Sequence, residues 1–185
     1  MYGFTHDVGE VFADADELDL DAILRRALFY AMRASRASAS AIYLAERDDP
    51  DILTAHALSG LFPPLDYLEP GSLSKVSSKA QYLEHRVRVQ RIRRGHGLIG
   101  QVADLGAPIL IEDAERDPRV PQYDDDFIKI RSALLVPIRF QRRVLGVLAV
   151  VNRVDGRPFA ESDQSLLQAL ADQAAITIHF DEVRE

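Results

Sequence analysis

Two almost unbroken apolar runs, residues 132–140 and 144–152, stand on either side of the basic turn Gln141-Arg142-Arg143. Being apolar at nearly every position, they predict two adjacent strands of a sheet covered on both faces. Residues 19–34 carry Leu20, Ile23, Leu24, Ala27, Leu28 and Ala31 at three- and four-residue steps, which predicts a helix with one buried face. Asp19 or Asp21 supplies the carboxylate that caps its free amides. Residues 40–45 and 52–58 read as two strands joined by the polar, proline-broken turn 46–51, a hairpin.

Residues 61–73 contain three prolines and a Pro-Gly pair, so an irregular excursion is expected there. A short helix is expected over 74–82. Val87, Val89 and Ile92 alternate with Arg88, Arg91 and Arg93 as in an exposed strand. Residues 97–105 read as a helix stopped by Gly106, residues 108–112 as a short strand, and the acidic, proline-punctuated residues 113–126 as a long loop. The last helix is expected from about residue 161 to about residue 180. Leu167, Leu170, Ala171, Ala174 and Ile178 form one stripe, while Leu166, Ala169, Ile176 and Phe180 lie elsewhere around it. A helix apolar on more than one side must bury more than one side. One side serves its own sheet, and the other asks for a partner helix.

The length of 185 residues fits one domain; the divisions expected are a leader or linker over 1–18 and a domain over 19–181. A net charge of −7 argues against nucleic acid and anionic membrane surfaces as partners. The absence of cysteine excludes disulfides, thiolate metal sites and cysteine nucleophiles within these residues. No basic-then-apolar signal opens the chain, and the longest apolar run, 144–151, is far short of a membrane span. A cytoplasmic protein without membrane insertion is expected.

The helix start Gly97-Leu98-Ile99-Gly100-Gln101-Val102-Ala103, the paired strands, the Gly156-Arg157-Pro158-Phe159 loop and the long final helix together resemble the GAF domain, a sensing and dimerising module of signalling proteins. The resemblance runs over roughly residues 20–180. It implies an α+β sandwich: a central antiparallel sheet of five or six strands, the N- and C-terminal helices on one face, and short helices and loops over a pocket on the other. It further implies a non-enzymatic regulatory role: binding an unknown small-molecule effector, forming a homodimer through the terminal helices, and controlling an output domain such as a phosphatase, kinase or cyclase. Cysteine-dependent branches of the family, the free methionine sulfoxide reductases and the bilin photoreceptors, do not fit a chain without cysteine. The stretch Leu61-Phe62-Pro63-Pro64-Leu65 is similar to the input modules of SpoIIE-type serine/threonine phosphatases, which implies a catalytic domain after Glu185. A purely structural dimer module and a cyclic-nucleotide-binding domain are the alternative readings.

Family members that bind cyclic nucleotides carry an Asn-Lys pair, a Phe, and then Asp-Glu. The matching positions here are Asn152, Arg153, Phe159, Asp163 and Gln164, with Arg for Lys and Gln for Glu. An Arg153–Asp163 salt bridge is expected to hold the loop closed. Ala160 stands where the family often places a capping Ser or Thr, so Ser162 or Asp163 is expected to cap one turn later. By position in the family fold, the pocket is walled by residues 74–82, the Gly97 helix and residues 113–130. Tyr82, His96, Asp113, Tyr123, Phe127, Arg131 and Ser132 are the candidates to line it. The cluster Arg86, Arg88, Arg91, Arg93 and Arg94 reads either as an anion site at the pocket mouth or as a solvated face balanced by Asp124 to Asp126. No cofactor and no metal site are expected: no histidine pair has ligand spacing, and no Ser/His/Asp arrangement is present.

Overall fold

The computed structural model describes residues 19–184, so the leader expected over 1–18 lies outside the described residues. Helix α1 (Leu20–Ser35) opens at Asp19, whose carboxylate accepts the Ala22 amide at 2.8 Å, and ends at Arg36 in the left-handed region. Strands β1 (Ala37–Ala45) and β2 (Ile52–Ser59) form the expected hairpin. Next come helix α2 (Lys79–Val89), the two-residue strand β3 (Ile92–Arg93), helix α3 (Gly97–Leu105) and strand β4 (Ile109–Ile111). Strands β5 (Ala133–Phe140) and β6 (Arg143–Arg153) lead to the long helix α4 (Glu161–Arg184).

The six strands form one sheet in the order β3-β2-β1-β6-β5-β4, every neighbour antiparallel. β5 and β6 pair from Ala133↔Val151 to Phe140↔Arg143, so the two apolar runs are adjacent inner strands. Strand alternation divides their side chains between two cores. Leu134, Val136, Ile138, Leu148 and Val150 pack under Leu24 and Leu28 of α1 and Leu167, Leu170 and Ile178 of α4. Ala133, Leu135, Val147, Ala149 and Val151 face the other way, beneath Val87 of α2 and Leu98, Ile99 and Val102 of α3. Both terminal helices therefore lie on one face of the sheet. Each large aliphatic side chain so buried contributes about 1.5–3 kcal/mol, which makes these two layers the main source of stability.

Two expectations fail here, the first being the helix expected over 74–82, which begins only at Lys79 and runs on to Val89. Residues 87–92 do not form an exposed strand: Val87 belongs to α2, and only Ile92 and Arg93 pair, with Leu53 and Ile52. Ser78 decides the matter by accepting the Gln81 amide at 3.3 Å, and Leu83 and Val87, four residues apart, are the helix's buried positions. Val89, which the alternation placed with Val87, is exposed. Elsewhere β1 begins three residues before the expected start, because Ala37 and Ala39 pair with Arg153 and Val151 of β6. The long loop holds two single 3₁₀ turns, Ala114–Arg116 and Asp126–Ile128.

Candidate functional site

The sheet face turned away from the terminal helices has a floor rich in small side chains, Ala39, Ala41, Ala55, Ala133 and Ala149, set among Leu53, Leu135, Val147 and Val151, with Tyr43 as the one large ring. Over it lie α2, α3 and the segments 60–78 and 112–131. α3 can sit close because of Gly100: a Cβ there would stand 2.4 Å from the Arg93 carbonyl. The turn into α3 is closed by the Gly95 amide donating to the Gly100 carbonyl at 2.7 Å. The loop segments send Phe62, Leu65, Val120 and Ile130 down onto the floor, and Phe62 packs against Tyr43 with ring centroids 6.3 Å apart.

At the rim the chemistry becomes polar. The Tyr123 hydroxyl donates to the Pro64 carbonyl at 2.5 Å and ties the two covering loops together. Asp66 accepts from Gln90 Nε2 and lies 3.4 Å from Arg86 Nη2, which also donates to the Tyr67 carbonyl at 3.1 Å. Arg86 on α2 and Gln90, the residue just past its end, thus grip one carboxylate. Burial pushes the phenols of Tyr43 and Tyr123 well above their ordinary range, the Asp66 charge adds to it, and Arg86 opposes it. Two phenols, one carboxylate and one guanidinium therefore share one electrostatic neighbourhood.

Two grooves open beside this cluster. One, of about 260 Å³, runs between Leu65, Asp66 and Gln90 on one side and Ile92, His96, Leu98 and Ile99 on the other. A second, of about 310 Å³, lies between residues 68–74 and Gln122, Tyr123, Asp125 and Ile128.

The seven expected lining residues divide among three places. Tyr82 and Tyr123 pack together with Leu68, Leu73, Leu83 and Ile128. Phe127, exposed, is nearby under the Lys79 ammonium, 5.7 Å from its ring centroid. His96 lies in the first groove at the N-terminal end of α3, where its side chain makes no capping bond. Asp113 follows β4 and precedes the 3₁₀ turn at Ala114, while Arg131 and Ser132 lead into β5. Asp113 is exposed and 3.6 Å from Arg116. Arg131 and Ser132 give their amides to Asn152 Oδ1 at 2.7 and 3.3 Å. Asp66, Gln90 and Tyr43 are the site residues that sequence reasoning missed. Asp66 sits in an irregular proline-rich stretch, and Arg86 was counted with a run of arginines rather than as half of a pair.

Four of that run are paired within the fold, and Arg93 is exposed. Besides Arg86, Arg88 pairs with Glu84 at 3.1 Å and Arg91 with Glu46 at 2.7 Å, while Arg94 donates to the carbonyls of Pro50, Ala103 and Val144 at 2.8–3.0 Å. The balancing acids are Asp66, Glu84 and Glu46; of Asp124 to Asp126, Asp125 is paired instead with Lys79 at 3.2 Å. No three His, Asp or Glu side chains converge as metal ligands among the described residues. No described helix is long and apolar enough to cross a membrane.

The Asn152–Asp163 motif forms a corner and not a pocket wall. Asn152, at φ 57°, accepts the Arg131 and Ser132 amides and donates to the Lys129 carbonyl at 2.8 Å. Arg153 makes a two-bond contact with Asp155, 2.6 and 3.0 Å, and the expected salt bridge to Asp163 at 3.4 Å. Phe159 is buried in the core under the terminal helices. Asp163 does not cap one turn later: its carboxylate reaches back to the Ala160 amide, 2.8 Å away.

An antiparallel six-stranded sheet, backed by its first and last helices and roofed by loops over a small-residue floor, is the architecture of a GAF-like α+β fold. The chain belongs to the GAF domain family, whose model matches residues 17–179, a family of regulatory and sensory domains. It is similar to the dual 3',5'-cyclic-AMP and -GMP phosphodiesterase 11A of Takifugu rubripes, 28% identical over 178 residues. That match covers 92% of this chain and 19% of the relative, so the chain spans about a fifth of that relative's length. Among solved structures it resembles the GAF domain of a phosphoenolpyruvate-protein phosphotransferase from Coxiella burnetii (TM-score 0.73, 19% identity, 99% of this chain and 96% of that one). It also resembles free methionine-R-sulfoxide reductase from Neisseria meningitidis (TM-score 0.69, 21% identity, 98% and 90%).

Proposed function

We propose that this GAF domain is a non-enzymatic regulator that pairs with a second copy through α1 and α4 and answers to a small-molecule effector bound over the alanine-rich face. The pairing would act on an output domain of the same protein, a phosphatase, kinase or cyclase. The observation that carries this reading is an apolar seam on α4 that no other described residue covers. Ile176, Phe180 and Val183 are 41, 56 and 62% exposed, and Phe29, on the face of α1 opposite its buried stripe, is 59% exposed. These four expose on the order of 400 Å², taking about 200 Å² for a whole aromatic side chain and somewhat less for Ile and Val. A standard interface buries about 800 Å² per partner, a little over half of it apolar, so the seam is of the right size.

The effector part of the proposal is supported by the Asp66–Arg86–Gln90 cluster beside a groove, a few polar groups converging on an apolar wall. An effector regulates only if it binds one arrangement of the covering loops better than another. Tyr123 and Phe62 are the side chains positioned to move between two such arrangements. Their filling of the space as it stands favours a second reading, a structural dimer module with no ligand. Cyclic nucleotide is the ligand suggested by the phosphodiesterase relative. Native mass spectrometry of freshly purified protein separates the readings: a dimer carrying a bound small molecule supports the proposal, an empty dimer that no metabolite stabilises supports the structural module, and a monomer contradicts both.

A further inference from the structure

The seam on α4 has a regular spacing. Leu166, Ala169, Gln173, Ile176, Phe180 and Val183 follow steps of three, four, three, four and three, the repeat of a coiled-coil contact line. At 100° per residue they lie opposite the buried positions Leu167, Leu170, Ala174 and Ile178, so the line points away from the sheet. Five of the six are apolar. The exception is Gln173, exposed and without a hydrogen-bond partner among the described residues. We propose that Gln173 fixes the orientation and register in which two copies meet: parallel, with each Gln173 facing its counterpart. The inference rests on the pairing proposed above and names what specifies it.

The alternatives differ in what they bring to the amide. In a parallel, unshifted pair, identical residues meet and the two carboxamides bond each other. In an antiparallel pair centred on the seam, Gln173 meets Ile176 of the other copy twice over, and a parallel pair shifted by one heptad sets it against Leu166 or Phe180. A buried amide left unbonded weakens association by about ten- to a hundredfold, and the antiparallel arrangement incurs this twice. Side-chain size pulls the other way, since antiparallel pairing sets Ala169 against Phe180, but such repacking is worth less than two stranded amides. A single polar residue in an apolar contact line is a known means of selecting one register at the expense of stability.

The absence of cysteine allows a direct test. In an Ala169→Cys chain, parallel pairing brings the two thiols together, whereas antiparallel pairing separates them by about 16 Å along the axis. The expected result is near-complete disulfide dimer from Ala169→Cys alone, and no mixed product with a Phe180→Cys chain. Adding Gln173→Leu is expected to tighten the dimer at least tenfold, to lower the Ala169→Cys product and to let the mixed one appear; Gln173→Asn is expected to keep the original pattern. If the wild-type chain dimerises but Gln173→Leu changes neither affinity nor cross-linking, or Ala169→Cys does not link to itself, the assignment of Gln173 is overturned while the pairing stands. If the wild-type chain remains monomeric, the pairing fails and the assignment with it.

Discussion

Asp163 and Ala160 divide between them a task usually given to one residue. Ala160 precedes the first residue of α4 and has no side chain that can accept an amide, yet its own N–H is taken by the Asp163 carboxylate at 2.8 Å. This is half of a capping box, the half contributed from inside the helix. The same oxygen is 3.4 Å from Arg153, so the helix start is tied to the end of β6. Asp163→Ala is expected to cost about 1–2 kcal/mol by losing this cap. Ala160→Ser, which completes the box, is expected to gain about 0.5–1 kcal/mol. Urea unfolding of the two variants checks both signs.

Asn152 combines two roles that substitution can separate. It occupies the left-handed region and makes three side-chain hydrogen bonds to the start of β5. Asn152→Gly loses the bonds but keeps the backbone geometry at no steric cost. Asn152→Ala loses the bonds and adds strain of about 1–2 kcal/mol. Both are expected to destabilise, alanine by about 1 kcal/mol more, as read from thermal and denaturant midpoints. Equal midpoints would mean that the left-handed turn carries no strain.

Gly100 is expected to tolerate no side chain. The Cβ of Gly100→Ala would lie 2.4 Å from the Arg93 carbonyl, a backbone atom that cannot swing aside. α3 would have to lift from β3, at a cost of about 1–3 kcal/mol. Because His96, Leu98 and Ile99 move with α3, groove ligands are expected to lose affinity in this variant as well. A binding isotherm unchanged in Gly100→Ala would exclude that groove as the effector site.

Acid should loosen the corner between Asn152 and Asp163. Hydrogen bonds from the Arg153 side chain, and then from the Arg157 amide, hold the Asp155 carboxyl at about 2, against an ordinary value of 3.8. Asp117 beside Arg119, and Asp125 beside the Phe127 amide and Lys79, are lowered for like reasons. A carboxyl lowered on folding stabilises the folded state above its unfolded value and loses that contribution as pH falls through its folded value. Stability is therefore expected to decline between about pH 4 and pH 2, with a shallower slope in Asp155→Asn. Denaturant midpoints across that range give the comparison.

The layered fold was readable because period and length spoke clearly: residues 132–152 could only be buried neighbouring strands, and α1 shows one face at helical steps. Residues 79–93 were not, because four arginines masked the Leu83–Val87 pair and alternation matched a strand by chance. The rim of the site was less legible still. Asp66 meets Arg86 and Gln90 across 20 and 24 residues, and nothing in a proline-broken stretch announces a long-range partner. Arg131 and Ser132 stand at the expected strand start but give their amides to Asn152, a distinction that only three-dimensional placement makes.

Whether the uncovered line on α4 joins two molecules is settled by sedimentation equilibrium of the whole 185-residue chain, wild type against Phe180→Glu. Phe180 is 56% exposed, so a charge there leaves the core intact. The wild type is expected to sediment as a dimer at micromolar concentration, and Phe180→Glu as a monomer with an unchanged circular dichroism spectrum. A wild type that remains monomeric throughout, or a Phe180→Glu chain that pairs equally well, would contradict it.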